Sequence, residues 1–499
     1  MGNHEYPSTE SGDTVNENSY GNLIGNRINY VGDTYQVTSP VTNKTIGQIY
    51  LANKADISNA ISDLDPSKSM PSMSEVFEFL KRLKDQIEIN RDRLFEQTYL
   101  ETGFIAEDTA EIVDGAIEYL NDFEIYAGED QRHERIIRHS YSSPTGRDMR
   151  MVDRPFRCIA AVVPQNASLT LGIVIIASAL CAGSRVILRP SLQTGTTGAL
   201  LAEAIIKSEP PESCVAIVNC LARDFLEACN ESEHVDLIHY IGSNQYAMPV
   251  FSSAFSAGKA CLIDGQGNGM LYVDDTFSVE EAVRIVTSGT TRYNGGTCTS
   301  INGVLVKDTI YKPFKEALVE AFTNLRVGHP LEQNTQVGPL FNDKQATLLQ
   351  QNISDSAEAR ILCGGNVKNA YFSPALIENV SLDSSIVREG MFGPALWMKQ
   401  VSEPQMWQWL KANRFPLSDT ILSNNKELIR SFAVNSRAAR ICVNCDPSIE
   451  SMFEPWGGYP PSGLNPVSTW IDKYRQTFQL DGTLTDIMTV NTDTRSRHS

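Results

Sequence analysis

A cysteine set behind two glycines is placed for thiol chemistry. In Tyr293-Asn294-Gly295-Gly296-Thr297-Cys298 the glycines take bulk away from the thiol and let the backbone bend. A carbonyl could then approach the sulfur and nearby backbone N–H groups, as covalent catalysis by cysteine requires. A buried cysteine acting as a small hydrophobe is the competing reading. A free thiol of pKa about 8.5 is only slightly ionised at neutral pH, so a nucleophilic Cys298 needs a base or a positive dipole nearby. Cys442-Val443-Asn444-Cys445 has redox-type spacing, but it lies in an apolar, strand-like run far from any second pair, and no metal site is expected.

Cys298 precedes the strand-like run 301–306, inside an α/β region expected over residues 264–464. Upstream, short apolar runs at 158–163, 185–188, 215–218 and 237–241 alternate with helical stretches, the pattern of a parallel sheet with right-handed crossovers. Sites of such sheets lie at the carboxyl ends of the strands, which directs attention to Pro164-Gln165-Asn166, Arg189-Pro190-Ser191 and Gly242-Ser243. No G-x-G-x-x-G stands there. Residues 27–50 read as short strands with turns. A helix is expected from Ser74 as its cap, with Val76, Leu80, Leu83, Ile87 and Leu94 as one buried stripe. A second helical region covers 106–126, and a basic hairpin 135–154.

The chain has 499 residues, enough for two or three domains, and its 41% apolar content is that of a globular protein. A net charge of −18 opposes nucleic-acid and anionic-membrane partners. Ten irregularly spaced cysteines suit reduced thiols and a cytoplasmic location. Residues 1–22 read as a disordered polar tail, and the apolar stretch 171–182 is too short to span a bilayer.

Seven landmarks, in this order, resemble the aldehyde dehydrogenase family: Pro164 with Asn166, Arg189-Pro190-Ser191, Gly242-Ser243, the loop 264–268, Cys298, Phe392-Gly393-Pro394, and Trp456-Gly457-Gly458 with Ser462-Gly463. The resemblance runs from about residue 24 to 489. It implies a Rossmann-like cofactor domain (23–134 and 156–263), an α/β catalytic domain (264–464) and a small oligomerisation arm (135–155 and 465–499), hence a homodimer or homotetramer. By it, Cys298 attacks an aldehyde, NAD or NADP takes the hydride, and a thioester remains. Asn166 matches the oxyanion-stabilising amide, the alternative being a turn amide. Val163, Pro164, Gln165, Arg189, Ser191, Gly242, Ser243 and Phe392 match cofactor-binding positions.

Several positions depart from the family pattern. The water-activating glutamate aligns with Asp264, one methylene shorter, which is either a base reaching through a moved backbone or a relay water, or a turn carboxylate. Gly265-Gln266-Gly267-Asn268 is similar to the G-x-G-N of the CoA-acylating branch, where CoA or a carrier-protein thiol takes the acyl group. The family's ribose-binding glutamates appear as Leu192 and Gly390, and Arg189 could pair with a 2′-phosphate. The expected function is oxidation of an aldehyde to an acid. The alternatives are a thiol-linked acylating enzyme and a catalytically impaired homologue kept for assembly. Phe104, Leu169, Phe453 and Trp456 suggest an apolar or aromatic substrate.

Overall fold

The computed structural model describes residues 18–129, 134–135, 148–356 and 358–482. Its largest sheet has nine strands, in the order Trp456–Gly458, Gly463–Ser468, Ala260–Asp264, Leu237–Ile241, Cys158–Val162, Arg185–Arg189, Val215–Ile217, Asn22–Ile24 and Arg27–Asn29. The five strands from Ala260–Asp264 to Val215–Ile217 run parallel. Four of them are the short apolar runs of the sequence, buried as parallel strands with helical crossovers must be, while Ala260–Asp264 is a fifth, only partly buried. From Cys158–Val162 the chain builds outward to Arg185–Arg189 and Val215–Ile217, then reverses to Leu237–Ile241 and Ala260–Asp264 on the other side. The crevice at that reversal is where an open α/β sheet takes a ligand.

A second sheet of seven strands runs Arg360–Cys363, Ala375–Glu378, Ala395–Val401, Ile301–Lys307, Gly269–Val273, Ser418–Leu422 and Arg440–Val443. Asp264 closes a strand of the first sheet, and only five residues later Gly269 opens a strand of the second. The segments Trp456–Gly458 and Gly463–Ser468 return from the second region to edge the first sheet. A separate three-stranded sheet joins Arg475–Gly482, Asp148–Pro155 and Glu134–Arg135. The polar tail, apart from residues 18–22, and much of the basic hairpin lie outside the described residues.

The helix expected from a cap at Ser74 is capped two residues earlier. Ser72 is the N-cap, accepting from Glu75 N–H while the Glu75 carboxylate accepts from Ser72 N–H, a reciprocal capping box. The apolar stripe is also split between two helices, Met73–Ile89 and Arg91–Thr102, meeting at Asn90. The second of these carries Glu101, which is fully buried and caps the helix Gly195–Lys207: its carboxylate accepts from the N–H and the hydroxyl of both Thr196 and Thr197. Burial pushes its pKa up to about 7, against the lowering effect of those four bonds. Its folded pKa therefore exceeds the ordinary 4.5, so its contribution to stability is complete below that value and is lost as pH rises through about 7. Glu101→Ala leaves four donors without an acceptor. It is expected to cost about 2–4 kcal/mol in urea denaturation.

No helix among the described residues is long and apolar enough to cross a membrane.

Candidate active site

The Cys298 loop owes its shape to three consecutive residues in the left-handed region, Tyr293 (φ 51°), Asn294 (φ 55°) and Gly295 (φ 65°). Non-glycine residues hold such angles only when their surroundings fix them. Here Asp108 accepts from Tyr293 N–H at 2.7 Å. The Asn294 amide donates to the Gly103 and Pro339 carbonyls, both at 2.9 Å, and its oxygen accepts from Gly338 N–H at 2.8 Å. A Cβ on Gly295 would collide with the Gly393 carbonyl. Thr297 and Ser300 close the turn hydroxyl to hydroxyl at 2.7 Å, and the strand Ile301–Lys307 follows. The thiol is thus held, half-buried, where loops from both sheets meet.

Burial raises the Cys298 pKa well above its usual value, and the negative charges of Glu450 and then Asp264 raise it further, with Arg440 opposing. The resting thiol is therefore protonated at neutral pH.

The other expected residues gather around the reversal crevice and the thiol. Asn166 is half-buried, three residues past the buried Val163 and just ahead of the helix Ser168–Ala182. Pro164 and Gln165 stand with it at the end of Cys158–Val162, and Val163 N–H donates to the Arg189 carbonyl at 3.0 Å. Ser191 caps a short 3₁₀ turn, and Ser243 caps the helix Asn244–Ser256 right after Gly242. Phe392 takes φ 46°, its carbonyl accepting from Gln345 Nε2 at 3.0 Å. Asn302 Oδ1 accepts from Met391 N–H at 2.8 Å, tying the Phe392 loop to the strand that follows the thiol.

These positions fit a dinucleotide. Most of them stand at the carboxyl ends of neighbouring parallel strands, beside the N-terminus of Ser168–Ala182, which has no side-chain cap and whose N–H groups suit a pyrophosphate. The charged or titratable groups that influence Arg189 are Cys220 and Tyr240, with no carboxylate among them, and its Nε donates to the Cys220 carbonyl at 3.1 Å. Gly390 has φ 82° and nearly touches Asn268, so the family's glutamate would be strained there. Glu389 cannot readily replace it, since its carboxylate is held by Arg414 at 2.7 Å.

Asp264 sits differently from a water-activating base. In register with Ile241, it shares a sheet face with His239. His239 Nε2 donates to Oδ2 at 2.7 Å, and Asn465 Nδ2 donates to Oδ1 and Oδ2 at 2.9 and 2.8 Å. With Nε2 protonated, His239 Nδ1 accepts from the Tyr474 hydroxyl at 3.0 Å. Lys473 donates to Asn465 Oδ1 at 3.1 Å, and burial pulls its pKa down to about 8. Asp264 is 5% exposed, so this carboxylate is the hub of a buried network rather than a free turn residue.

Asn268 of the G-x-G-N run is likewise engaged. It donates to the Val387 carbonyl at 2.8 Å and to Asn413, whose amide donates back to the Asn268 carbonyl. Gly267 lies so close to the Cys298 carbonyl that any side chain there would overlap it.

The four residues expected to line the substrate site are divided between the core and one cavity. Phe104 and Leu169 are core residues, and Phe453 packs on Tyr119 at 4.7 Å between ring centres. Trp456 does line a cavity of about 220 Å³, shared with Thr299, Leu417, Pro455 and Val467 and carrying two charged residues, Arg440 and Glu454. Sequence reasoning passed over Arg440, which opens the strand Arg440–Val443, and Glu450 and Glu454, which lie in the turns after it. No group of three or more metal-binding side chains occurs among the described residues, and Cys442 and Cys445 are both free thiols.

Known proteins resemble the chain along nearly its whole length. The aldehyde dehydrogenase family model matches residues 29–480. A mitochondrial succinate-semialdehyde dehydrogenase of Oryza sativa subsp. japonica is 27% identical over 450 residues, 87% of this chain and 83% of that protein. A sulfoacetaldehyde dehydrogenase of Neptuniibacter caesariensis is 24% identical over 445 residues, 87% and 96% of the two chains. Among solved structures, aldehyde dehydrogenase 21 of Physcomitrella patens, in complex with the reaction product succinate, superposes with a TM-score of 0.86 at 21% identity, covering 95% of this chain and 100% of that one. The NAD+ complex of an aldehyde dehydrogenase from Bacillus cereus gives 0.85 at 20% identity, covering 93% and 97%. With a match that spans nearly the whole chain and a thiol set between the two sheets, the chain belongs to the aldehyde dehydrogenase family and is an NAD(P)-dependent aldehyde dehydrogenase.

Proposed function

We propose that the oxidation runs through a covalent acyl group on Cys298 and ends in a carboxylic acid. The observation that carries this reading is the kinked turn at 293–295, which costs backbone strain and holds the thiol where the two sheets meet. The Cys298 thiol gives its proton to water as Sγ adds to the aldehyde carbon, and Asn166 with the Cys298 N–H receives the oxyanion charge. A donor of this kind is worth on the order of 10²–10³ in rate. The bound nicotinamide supplies the hydride acceptor. Val163, Pro164, Gln165, Ser191, Gly242, Ser243 and Phe392 hold the dinucleotide in the crevice, and Arg189 faces its ribose. Rapid mixing with an aldehyde and NAD or NADP tests the reading: it requires a burst of reduced nicotinamide together with an acyl adduct on Cys298.

Arg189, with no carboxylate opposing it and Leu192 where the family has one, favours a 2′-phosphate. Arg189→Gln is expected to weaken NADP binding about tenfold or more and NAD binding little, read by fluorescence titration.

A second reading, acyl transfer to CoA or a carrier-protein thiol, is favoured by one observation: Asp264 is held in its network and does not offer a free carboxylate to water. Turnover that depends on added thiol would establish it. The sheet of Glu134–Arg135, Asp148–Pro155 and Arg475–Gly482 is the element best suited to subunit contact, and light scattering on a chain ending before residue 475 tests that role.

A further inference from the structure

Asp264 occupies the position of the family's water-activating glutamate, yet three hydrogen bonds from His239 and Asn465 fill its oxygens and protein covers it. A different carboxylate lies close to the thiol. Glu450 stands on the turn after Arg440–Val443. Asp446 builds that turn by accepting from Ser448 N–H at 2.9 Å and from the Ser448 hydroxyl at 2.6 Å. Thr299, the residue next to Cys298, stands near enough to the Glu450 side chain to lower its pKa. Arg440 Nη1 donates to Glu450 Oε1 at 3.0 Å while Nη2 donates to Glu454 Oε2 at 3.1 Å. Among the charges acting on the Cys298 thiol, Glu450 outranks Asp264. The cavity lined by Thr299, Arg440 and Glu454 adjoins it, and a third of the Glu450 side chain (34%) reaches solvent.

We propose that Glu450 is the general base that activates water against the Cys298 thioester, doing the work that the position of Asp264 no longer does. This rests on the acyl-cysteine reading above. Water oxygen bonds to the acyl carbon and one water proton passes to the Glu450 carboxylate. The C–S bond then breaks with its electron pair on Sγ, which regains the proton from Glu450 as the carboxylic acid leaves. Water and thioester become acid and thiol, and no further reactant is consumed. Arg440 orients the carboxylate through one oxygen, and Arg440 shares a cavity with Thr299, the residue next to the nucleophile.

The pH dependence follows from the surroundings. Protein packed round the carboxylate pushes its pKa up to about 6, with Glu454 adding to the rise and Arg440, Thr299 and Arg292 opposing it. The base form is the ionised one, so deacylation should increase as pH rises through about 6. The Cys298 thiol, raised far above that range, stays protonated there.

The test compares wild type, Glu450→Gln and Asp264→Asn by rapid mixing with aldehyde and cofactor, followed by intact-protein mass measurement. Glu450→Gln is expected to give a burst of about one reduced nicotinamide per site and then to stall, with steady turnover about 10²–10⁴-fold lower. It should carry the acyl group on Cys298 and lack the acid limb near pH 6. An added small thiol, which attacks the thioester without this base, should restore turnover. Removing the negative charge should also make Cys298 react faster with iodoacetamide. Asp264→Asn should keep its steady rate per folded site.

Undiminished turnover in Glu450→Gln overturns the assignment. So does loss of the burst in a folded variant that still binds cofactor, and so does a wild-type enzyme that stalls until thiol is added. Absence of any burst or adduct in the wild type would instead refute the acyl-cysteine reading itself.

Discussion

Cys298→Ala should reduce aldehyde-dependent nicotinamide reduction by about 10⁴-fold or more, because the covalent route loses its only attacking atom while cofactor binding, built on the crevice, is untouched. The measurement is absorbance of the reduced ring beside a fluorescence titration of cofactor affinity, and the two must separate. No other thiol substitutes. Cys158, Cys181, Cys214, Cys220, Cys229 and Cys442 are buried, and Cys261, Cys363 and Cys445 lie outside the kinked turn. A variant retaining a tenth of the wild-type rate would move the chemistry away from this residue. The raised thiol pKa adds a second expectation: in the absence of cofactor, alkylation of Cys298 should be slow at neutral pH and keep climbing through pH 9.

The second large effect is on stability. Asp264→Ala removes the acceptor shared by His239 and Asn465 and leaves the Lys473 charge, already poorly solvated, without its nearest anion. Truncating one partner of a buried polar cluster costs about 3–5 kcal/mol, since the remaining groups keep their desolvation penalty. Asp264→Asn, which keeps an acceptor for one of the two donors, should cost roughly 1–2 kcal/mol. Urea denaturation distinguishes them. Equal losses would mean that the network adds nothing beyond shape. Should Asp264→Asn instead abolish turnover while leaving stability alone, the residue would be catalytic after all.

How much of this was legible in the chain depends on whether the signal is local. The strands Cys158–Val162, Arg185–Arg189, Val215–Ile217 and Leu237–Ile241 could be read directly, because each is a short apolar run between helical stretches and burial on both faces imposes that pattern. The break at Asn90 could not, since the apolar stripe continues from Val76 to Leu94 across it. Nor could the pairing of 456–468 with the first sheet, because pairing is a long-range choice that a segment's own composition does not encode. At the site, the glycines and the cysteine announced themselves through type and spacing. Asp264 aligned with a base, but its role is set by strand register, which turns it toward His239. Asn268, read as a marker of one branch, is spent on Val387 and Asn413. Glu450 carries no sequence signature at all, being one acid in a polar turn brought to the thiol by folding.

The return of residues 456–474 to the first sheet has a consequence for how the protein is made. Gly463 pairs with Asp264, and Tyr474 reaches His239 in the middle of that sheet. A ribosome must therefore translate past residue 474 before the first sheet can acquire its edge and its buried polar centre. The seven-stranded sheet has all of its strands once residue 443 has emerged. During synthesis the later half of the chain can settle first, and the amino-terminal half, though it emerges earlier, must wait as an unfinished sheet for the end of the polypeptide, a period in which it depends most on chaperones.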